Sequence, residues 1–119
     1  MRNKYGNRKV KRDGIVFDSK READRWTELK LLEKAREISN LQRQVKYELI
    51  PKQYSTTERT KANRPRMVER EVSYIADFVY TDNASNEVVV EDAKGFKTEE
   101  YKIKRKLMLK IHGIRIKEV

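Results

Sequence analysis

The most constraining feature of the sequence is a run of three valines that leads directly into charged residues, in the segment Glu87 to Lys94. Such a run predicts a buried strand, and the side chains of a strand alternate between its two faces. Asp92 and Lys94 then share one face with two of the valines, whereas Glu91 lies on the other. A buried face with a carboxylate and an ammonium is costly unless these charges pair or form a site.

A second carboxylate, Asp77, interrupts the preceding predicted strand in the segment "YIADF". Alternation places Asp77 and Val79 on one face of that strand, and Ala76 and Phe78 on the other. A turn rich in Asn, Asp and Ser joins the two strands, which are therefore expected to form a hairpin. Pairing around this turn is predicted to bring Asp77 close to Asp92.

Two neighbouring carboxylates repel each other unless a cation lies between them. Oxygen ligands suit Mg²⁺ or Mn²⁺, and the backbone carbonyl of Ala93 is a further candidate ligand. Such an ion supports phosphodiester hydrolysis, in which Lys94 would position or deprotonate a water molecule or stabilise the transition state. The alternative from the spacing alone is a structural ion pair between Asp77 and Lys94.

Two helices are predicted from their capping residues. Ser19 and Glu22 form a capping box at the start of a helix that runs from about Lys20 to Glu37. Thr98 is the expected N-cap of a second helix, since two glutamates follow it in the first turn. Gly113 is the expected stop of that helix.

The remaining segments complete an α/β pattern. A half-buried strand is predicted in "QRQVKYELIP" (42–51), and a short strand in "IRIKEV" (114–119) closes the chain. The segment 52–70 has no hydrophobic period, and it is predicted to be a mobile basic loop or a hairpin tip. Residues 1–13 are predicted to be a flexible basic arm, and residues 14–119 to be a single domain.

The charge balance indicates a polyanionic partner. Lys and Arg total 29 against 19 Asp and Glu, a net charge of +10, which favours nucleic acid. The chain has no cysteine, which excludes disulfides and thiolate metal sites and is consistent with a cytoplasmic location. No apolar run approaches the length of a membrane span, so no membrane partner is expected.

Basic residues on either side of the carboxylates in sequence are expected to contact DNA phosphates, with a solvated surface as the alternative. They are Arg8, Lys9, Lys11 and Arg12 in the arm, and Lys97, Lys102, Lys104 and Arg105 around the second helix. Gln44 is a weaker candidate for the site. His112 is expected near the C-terminal end of a helix and not as a general base.

These residues resemble a known nuclease pattern. Asp77 followed by Asp92-Ala93-Lys94 is similar to the motifs of the PD-(D/E)xK nuclease superfamily, and Glu22 is similar to the acidic residue that its first helix frequently carries. The chain looks most like a small phage-borne endonuclease family, long catalogued as a domain of unknown function. The matching stretches are "KYGNRKVKRDGIVFDSKREADRW", "YIADF" and "VVEDAKGFKTEEYKIKRKL". One departure is Ala76, where many members have proline.

The resemblance implies a single restriction-endonuclease-like α/β domain with the core order helix, three strands, helix, strand, in which helices flank a mixed sheet. It implies a DNA endonuclease that depends on Mg²⁺, with Mn²⁺ as a substitute, and that is structure-specific in DNA recombination, replication or packaging within the host cell. Asp77, Asp92, Lys94 and Glu22 would be catalytic. Asp77, Asp92, Glu22 and the Ala93 carbonyl would hold the metal, although Glu22 is also explained by helix capping alone.

Two rival functions remain. A non-catalytic DNA-binding module on a nuclease-like fold is one, and it would be expected to have lost Asp77, Asp92 or Lys94, all of which are present. An RNA-binding structural protein is the other, and the sequence lacks the aromatic platform that single-strand readers use. Glu91 is predicted not to be a ligand because it lies on the opposite strand face. Paired cuts on two strands would favour a homodimer.

Overall fold

The computed structural model describes residues 8–119. In this range the helices are α1 (Lys20–Lys34) and α2 (Glu99–His112). The strands are β1 (Val10–Arg12), β2 (Ile15–Phe17), β3 (Ile38–Ile50), β4 (Gln53–Arg59), β5 (Pro65–Glu69), β6 (Val72–Asp82), β7 (Glu87–Asp92) and β8 (Lys117–Glu118).

Four strands form the central sheet in the order β3-β6-β7-β8. The pairs β3–β6 and β6–β7 are antiparallel, whereas β7 and β8 are parallel. Parallel neighbours need a crossover connection, and α2 with its flanking loops provides it. The described chain is therefore a mixed α/β structure with a mixed sheet, and its core follows the predicted order of helix, three strands, helix and strand.

Each helix covers one face of the sheet. Leu29 of α1 packs in a cluster with Phe78 of β6. Met108 of α2 packs with Val79 and Val90 on the opposite face. Fully burying one such side chain contributes roughly 1.5–3 kcal/mol, so these two clusters hold the layers together. Within residues 8–119, neither helix has the length or the apolar run that crossing a membrane requires.

The predicted helix ends are confirmed by their caps. The Ser19 side chain accepts a hydrogen bond from the backbone N–H of Glu22 at 3.2 Å, and the Thr98 side chain accepts one from Tyr101 at 3.1 Å. Gly113 ends α2 in the left-handed conformation with φ of 65°. The first helix ends at Lys34, three residues before the predicted Glu37.

Two predicted flexible segments contain strands. Of the arm predicted for residues 1–13, residues 1–7 lie outside the described part of the chain. Residues Val10–Arg12 form β1, which pairs with β2 across Asp13 and Gly14. Of the two alternatives predicted for residues 52–70, a loop or a hairpin tip, the structure has the hairpin, since β4 and β5 pair in antiparallel fashion there. Local backbone pairing organises both segments.

Candidate active site

Asp77 lies in the middle of β6, opposite Gln44 of β3. The pairs Arg43–Phe78 and Val45–Ala76 flank this point, and Gln44, which faces it, has a positive φ of 53°. Ala76 packs in the cluster under α2, whereas Phe78 packs in the cluster under α1. The prediction that these two side chains share a face is therefore wrong, because the strand turns about its axis at Asp77.

The β6–β7 pairing brings Asp77 to the end of β7. Phe78 pairs with Glu91, so the next step of the antiparallel register places Asp77 opposite Asp92. The Asp77 Oδ2 atom accepts a hydrogen bond from the backbone N–H of Ala93 at 2.8 Å. The two carboxylates thus lie together, as the hairpin pattern predicted.

Asp92 is almost fully buried, with an exposed fraction of 1%. The Tyr74 hydroxyl donates a hydrogen bond to its Oδ2 atom. Its Oδ1 atom is buried and accepts no hydrogen bond from the described residues, and Lys94 Nζ lies 3.5 Å from it. A buried carboxylate oxygen without a hydrogen bond is costly. Asp92 therefore retains one oxygen that can accept a further ligand.

Lys94 stands between this buried carboxylate and solvent. Its side chain is 37% exposed, and Nζ lies 5.4 Å from the centroid of the Tyr101 ring. Tyr101 packs in the core under α2, and it fixes the direction from which Lys94 reaches Asp92. The ammonium can therefore contact the carboxylate and a molecule in solvent.

Glu22, in the first turn of α1, is the third carboxylate of the site, and like Asp92 it is buried, whereas Asp77 is half-buried. Gln44 Nε2 donates a hydrogen bond to its Oε1 atom at 3.2 Å, and Arg43 Nη2 lies 3.6 Å from the same atom. Burial and the neighbouring carboxylate of Asp18 raise the pKa of Glu22, and the Arg43 guanidinium opposes this shift. The side chain thus has contacts beyond helix capping, and Gln44 is one of them.

The three carboxylates interact electrostatically. Burial, followed by the charges of Asp92 and Glu22, raises the pKa of Asp77 to about 7. The Ala93 N–H and the Lys94 ammonium partly oppose this shift. Near neutral pH the group is divided between its charged and neutral forms. A cation placed between the carboxylates would favour the charged form.

A cleft of about 580 Å³ opens beside these residues. Asp77, Lys94 and Glu22 contribute to its walls, whereas Asp92 lies behind them. The other walls come from the beginnings of both helices, the β7–α2 loop and the segment before β1. They include Arg8, Ser19, Arg21, Gly95, Phe96 and Thr98. A ligand in the cleft would therefore meet carboxylates and cations together.

No group of three or more His, Cys, Asp or Glu side chains within residues 8–119 is arranged to hold a metal ion. The predicted set of three carboxylates with the Ala93 carbonyl therefore stays a prediction. Asp77 and Asp92 are nevertheless a suitable pair, since Mg²⁺ commonly binds one or two carboxylates and completes its coordination with water and substrate phosphate. The Oδ1 atom of Asp92, which accepts no hydrogen bond from the described residues, suits a hard cation.

Glu91 lies on the face away from this site, as the alternation of β7 predicts. Its exposed fraction is 0%, and Arg25 of α1 binds both of its oxygens, at 2.8 and 2.7 Å. The Tyr80 hydroxyl donates a further hydrogen bond to it. Glu91 is thus held by α1 and β6, and its contacts explain why a charge is buried there.

The predicted DNA-binding residues differ in their surroundings. Among those around α2, three form ion pairs: Lys102 with Glu99, Lys104 with Glu100 and Arg105 with Glu118. In the N-terminal segment Arg12 pairs with Asp24, whereas Lys9 and Lys11 are exposed and Arg8 lines the cleft. Lys97 is half-buried beside the β7–α2 loop. Arg8 is the member of this set that the structure brings to the site.

Three site residues escaped sequence reasoning. Tyr74 donates to Asp92, Arg43 approaches Glu22, and Arg21 lines the cleft. Tyr74 reads as an ordinary strand residue, and only its pairing position in β6 reveals the contact. His112 lies in the last turn of α2, as predicted, with its Nε2 atom 2.6 Å from the carbonyl oxygen of Glu48. It does not line the cleft.

Residues 2–117 match the sequence model of a family described as a protein of unknown function (DUF1064), and the chain belongs to that family. No curated protein and no solved structure matches the chain. The family match spans almost the whole sequence, including every residue of the candidate site.

Proposed function

We propose that this DUF1064 member is a metal-dependent DNA endonuclease that hydrolyses phosphodiester bonds, with Asp77, Asp92 and Lys94 as its catalytic set. The observation that carries the proposal is the pair of neighbouring carboxylates beside a lysine at the edge of a cleft. One of these carboxylates, Asp92, has a buried oxygen without a hydrogen bond. A structural role accounts poorly for such an oxygen, whereas a metal ligand uses it.

The resemblance to the PD-(D/E)xK superfamily supports the same function. That resemblance implies a helix, three strands, a helix and a strand, and the order α1, β3, β6, β7, α2, β8 agrees with it. Asp77 lies in the second of these core strands, and Asp92-Ala93-Lys94 lies at the end of the third. We therefore propose a restriction-endonuclease-like fold as part of the functional hypothesis.

Mg²⁺, or Mn²⁺ in its place, is the metal that the two carboxylates suit. Asp77 and Asp92 would hold it, and the Ala93 carbonyl and Glu22 are further candidates. A bound ion of this kind would lower the pKa of a water molecule and neutralise charge on the phosphate. Glu22 already accepts hydrogen bonds at the start of α1, so a role in orienting water suits it as well.

Lys94 would stabilise the charge that builds on the phosphate or take the proton of the attacking water. Its partly exposed side chain reaches the cleft, and its Nζ atom lies 5.4 Å from the centroid of the Tyr101 ring. Tyr74 would act through another residue, because its hydroxyl orients Asp92. Arg8 and Arg21 would contact the phosphate backbone at the cleft.

The alternative is a DNA-binding module without catalysis. The ion pair between Lys94 and Asp92 at 3.5 Å favours this alternative, since it gives both residues a structural role. The presence of Asp77 and its raised pKa argue against it, because a purely structural pair does not need a second, half-buried carboxylate beside it. The resemblance to phage-borne nucleases extends the proposal to structure-specific cleavage in recombination, replication or packaging within a host cell.

A cleavage panel tests this function directly. Labelled linear, nicked, flap and four-way DNAs are incubated with the protein in Mg²⁺, Mn²⁺ or EDTA, and Asp77→Asn serves as the matched control. We expect cleavage of at least one substrate with either metal, and none with EDTA or with the variant. Binding without cleavage under every condition would favour the non-catalytic alternative. Size-exclusion chromatography with light scattering, with and without DNA, tests the homodimer.

A further inference from the structure

The hairpin formed by β4 and β5 extends from the domain without a partner strand. Its two strands pair with each other and with no other strand of residues 8–119. Between residues 51 and 70 every residue is exposed except Ser55, which is half-buried. A hairpin with so little buried surface contributes little to the stability of the domain. A structural role therefore does not account for it.

The hairpin segment is strongly basic. Residues 52–70 contain six basic residues and two acidic ones, a net charge of +4. Lys61, Arg64, Arg66 and Arg70 form no ion pair with any residue of the described chain, in contrast to the cations of α2 that pair with their own glutamates. Unpaired cations on an exposed ribbon favour a polyanionic partner.

The tip of the hairpin is held in one conformation by its own side chains. Arg59 donates to the Asn63 side chain at 2.8 Å and to the Asn63 carbonyl at 2.7 Å. The backbone N–H of Thr60 donates to the Arg64 carbonyl at 2.8 Å. These contacts organise the turn before any partner binds, which lowers the entropy cost of binding.

Alternation gives the second strand two different sides. Arg66 of β5, with Arg64 and Arg70 just outside it, belongs to one side, whereas Met67 belongs to the other and pairs with Tyr54. Successive side chains on one side of a strand are about 6.6–6.8 Å apart. One strand of duplex DNA advances 3.4 Å per phosphate, so neighbouring arginines match every second phosphate along the axis.

We propose that the β4–β5 hairpin is a DNA-binding ribbon that enters the major groove of a duplex, with Lys61, Arg64 and Arg66 as its principal contacts. A major groove about 12 Å wide admits a two-stranded ribbon. The cations meet the phosphates at the groove edges, and the compact turn leads the hairpin into the groove.

A second copy of this chain is the competing occupant, because Tyr54 and Met67 are exposed large apolar side chains. Pairing two identical hairpins would bring two segments of charge +4 together, and like charges oppose such contact. DNA removes this repulsion and neutralises the cations as well. Charge therefore favours the duplex over the second copy.

The hairpin and the cleft can contact one duplex, an inference that rests on the proposed function. Asp77 and Pro65 are twelve residues apart along β6 and β5, which spans at most about 40 Å of extended chain. One turn of B-DNA is about 34–36 Å long. The ribbon would therefore bind within about one helical turn of the phosphate at the cleft.

The experiment measures binding of the intact protein to a fluorescent duplex of about two helical turns, in EDTA so that no cleavage occurs. The test variant is Lys61→Gln/Arg64→Gln/Arg66→Gln. The control variant, Lys34→Gln/Lys110→Gln/Lys117→Gln, loses the same charge at exposed positions on the helices and β8. Anisotropy gives the dissociation constant over a range of salt concentrations, and melting curves check that both variants fold.

We expect the hairpin variant to bind at least about tenfold more weakly than the control. The slope of the logarithm of the association constant against log salt should also become less steep by about 2–3, since each phosphate contact contributes about 0.9. A single strand of the same length should show a smaller difference. Equal binding by the two variants would overturn the inference, whether or not the wild type cleaves DNA. A dimer that the hairpin variant disrupts, with DNA binding unchanged, would assign the ribbon to a second copy instead. If the wild type cleaves no DNA but the hairpin variant still binds more weakly than the control variant, only the nuclease function is refuted.

Discussion

Two adjacent buried carboxylates on opposite faces of β7, Glu91 and Asp92, differ in how completely they are hydrogen-bonded. Glu91 is held by both nitrogens of the Arg25 fork and by the Tyr80 hydroxyl, so its charge is matched within the fold. Asp92 has one tyrosine hydroxyl and a lysine at 3.5 Å, and its Oδ1 atom has no hydrogen bond from the described chain. The two residues are neighbours, yet only one of them is fully paired.

This difference separates a structural charge from a candidate ligand. A paired carboxylate stabilises a layer, and removing its partner strands a buried charge. An incompletely paired carboxylate beside another acid keeps an unfavourable arrangement that a cation relieves. Glu91, paired with Arg25 of α1, therefore has a structural role, whereas Asp92 is the candidate metal ligand.

The sharpest way to break the comparison is to neutralise each carboxylate in turn. Asp92→Asn should reduce metal-dependent cleavage to background while leaving the apo protein as stable as the wild type, because it removes an incompletely paired charge. Glu91→Gln should keep cleavage below its melting temperature but lower that temperature. Cleavage assays and thermal melts with and without Mn²⁺ measure both effects. Equal loss of activity in two folded variants would contradict the division between the faces.

Lys94→Ala should lower the cleavage rate by about two to four orders of magnitude, the usual range for a general base or a transition-state charge. Metal binding should survive, because Asp77 and Asp92 remain. Calorimetric titration with Mn²⁺ beside single-turnover kinetics separates binding from chemistry. Lys110→Ala, which removes an exposed ammonium in the last turn of α2, is the matched control. Wild-type cleavage by the Lys94 variant would assign the lysine to packing alone.

Arg25→Ala should destabilise the protein by roughly 3–5 kcal/mol, because Glu91 would keep its buried charge without the guanidinium. Arg21→Ala, on the same helix and exposed, should change the free energy of unfolding by about 0.5 kcal/mol or less. Urea unfolding monitored through Trp26 gives both values. A small effect at Arg25 would mean that water reaches Glu91 when the pair is broken.

Asp77 should make the apo protein less stable as the pH rises. Its pKa is about 7 in the fold against an ordinary 3.8, so the folded state binds the proton more tightly. The stabilisation that the protonated Asp77 gives to the fold is complete below about pH 4 and is lost as the pH rises to about 7. The free energy of unfolding of Asp77→Asn should exceed that of the wild type by roughly 2–4 kcal/mol at pH 8 in EDTA, and this difference should shrink towards pH 4. A pH-independent difference between the two proteins would contradict the raised pKa.

The smallest expected effects come from the two tyrosines. Tyr74→Phe should destabilise the fold by about 1–3 kcal/mol, since Asp92 Oδ2 loses its donor, and Tyr80→Phe by about 1 kcal/mol or less, since Glu91 keeps Arg25. Equilibrium unfolding of both variants beside the wild type tests the order. A reversed order would show that the Arg25 pair depends on the Tyr80 hydroxyl.

Local patterns determined much of the fold before any tertiary contact was known. Capping residues are recognised by neighbours within one turn, so Ser19, Thr98 and Gly113 predicted helix ends correctly. Alternation in β7 placed Glu91 and Asp92 on opposite faces, because that strand is regular. The Asp13-Gly14 pair is a strong local hairpin signal, and it explains why part of the segment predicted as a flexible arm forms β1 paired with β2.

Only the tertiary structure decided what the buried charges contact. Arg25 and Glu91 are 66 residues apart, and nothing local in either segment identifies the other as a partner. The reversal of side-chain faces at Asp77 lies opposite Gln44, whose φ is 53°, and a period of two does not predict it. The sequence by itself therefore identified Asp77, Asp92 and Lys94 as the candidate site and predicted the strands that hold them. Strand register and the packing of both helices decided which carboxylate has hydrogen bonds to both oxygens and which keeps an oxygen without one. Only the tertiary structure shows this, because the contacts that hold each carboxylate join segments distant in sequence.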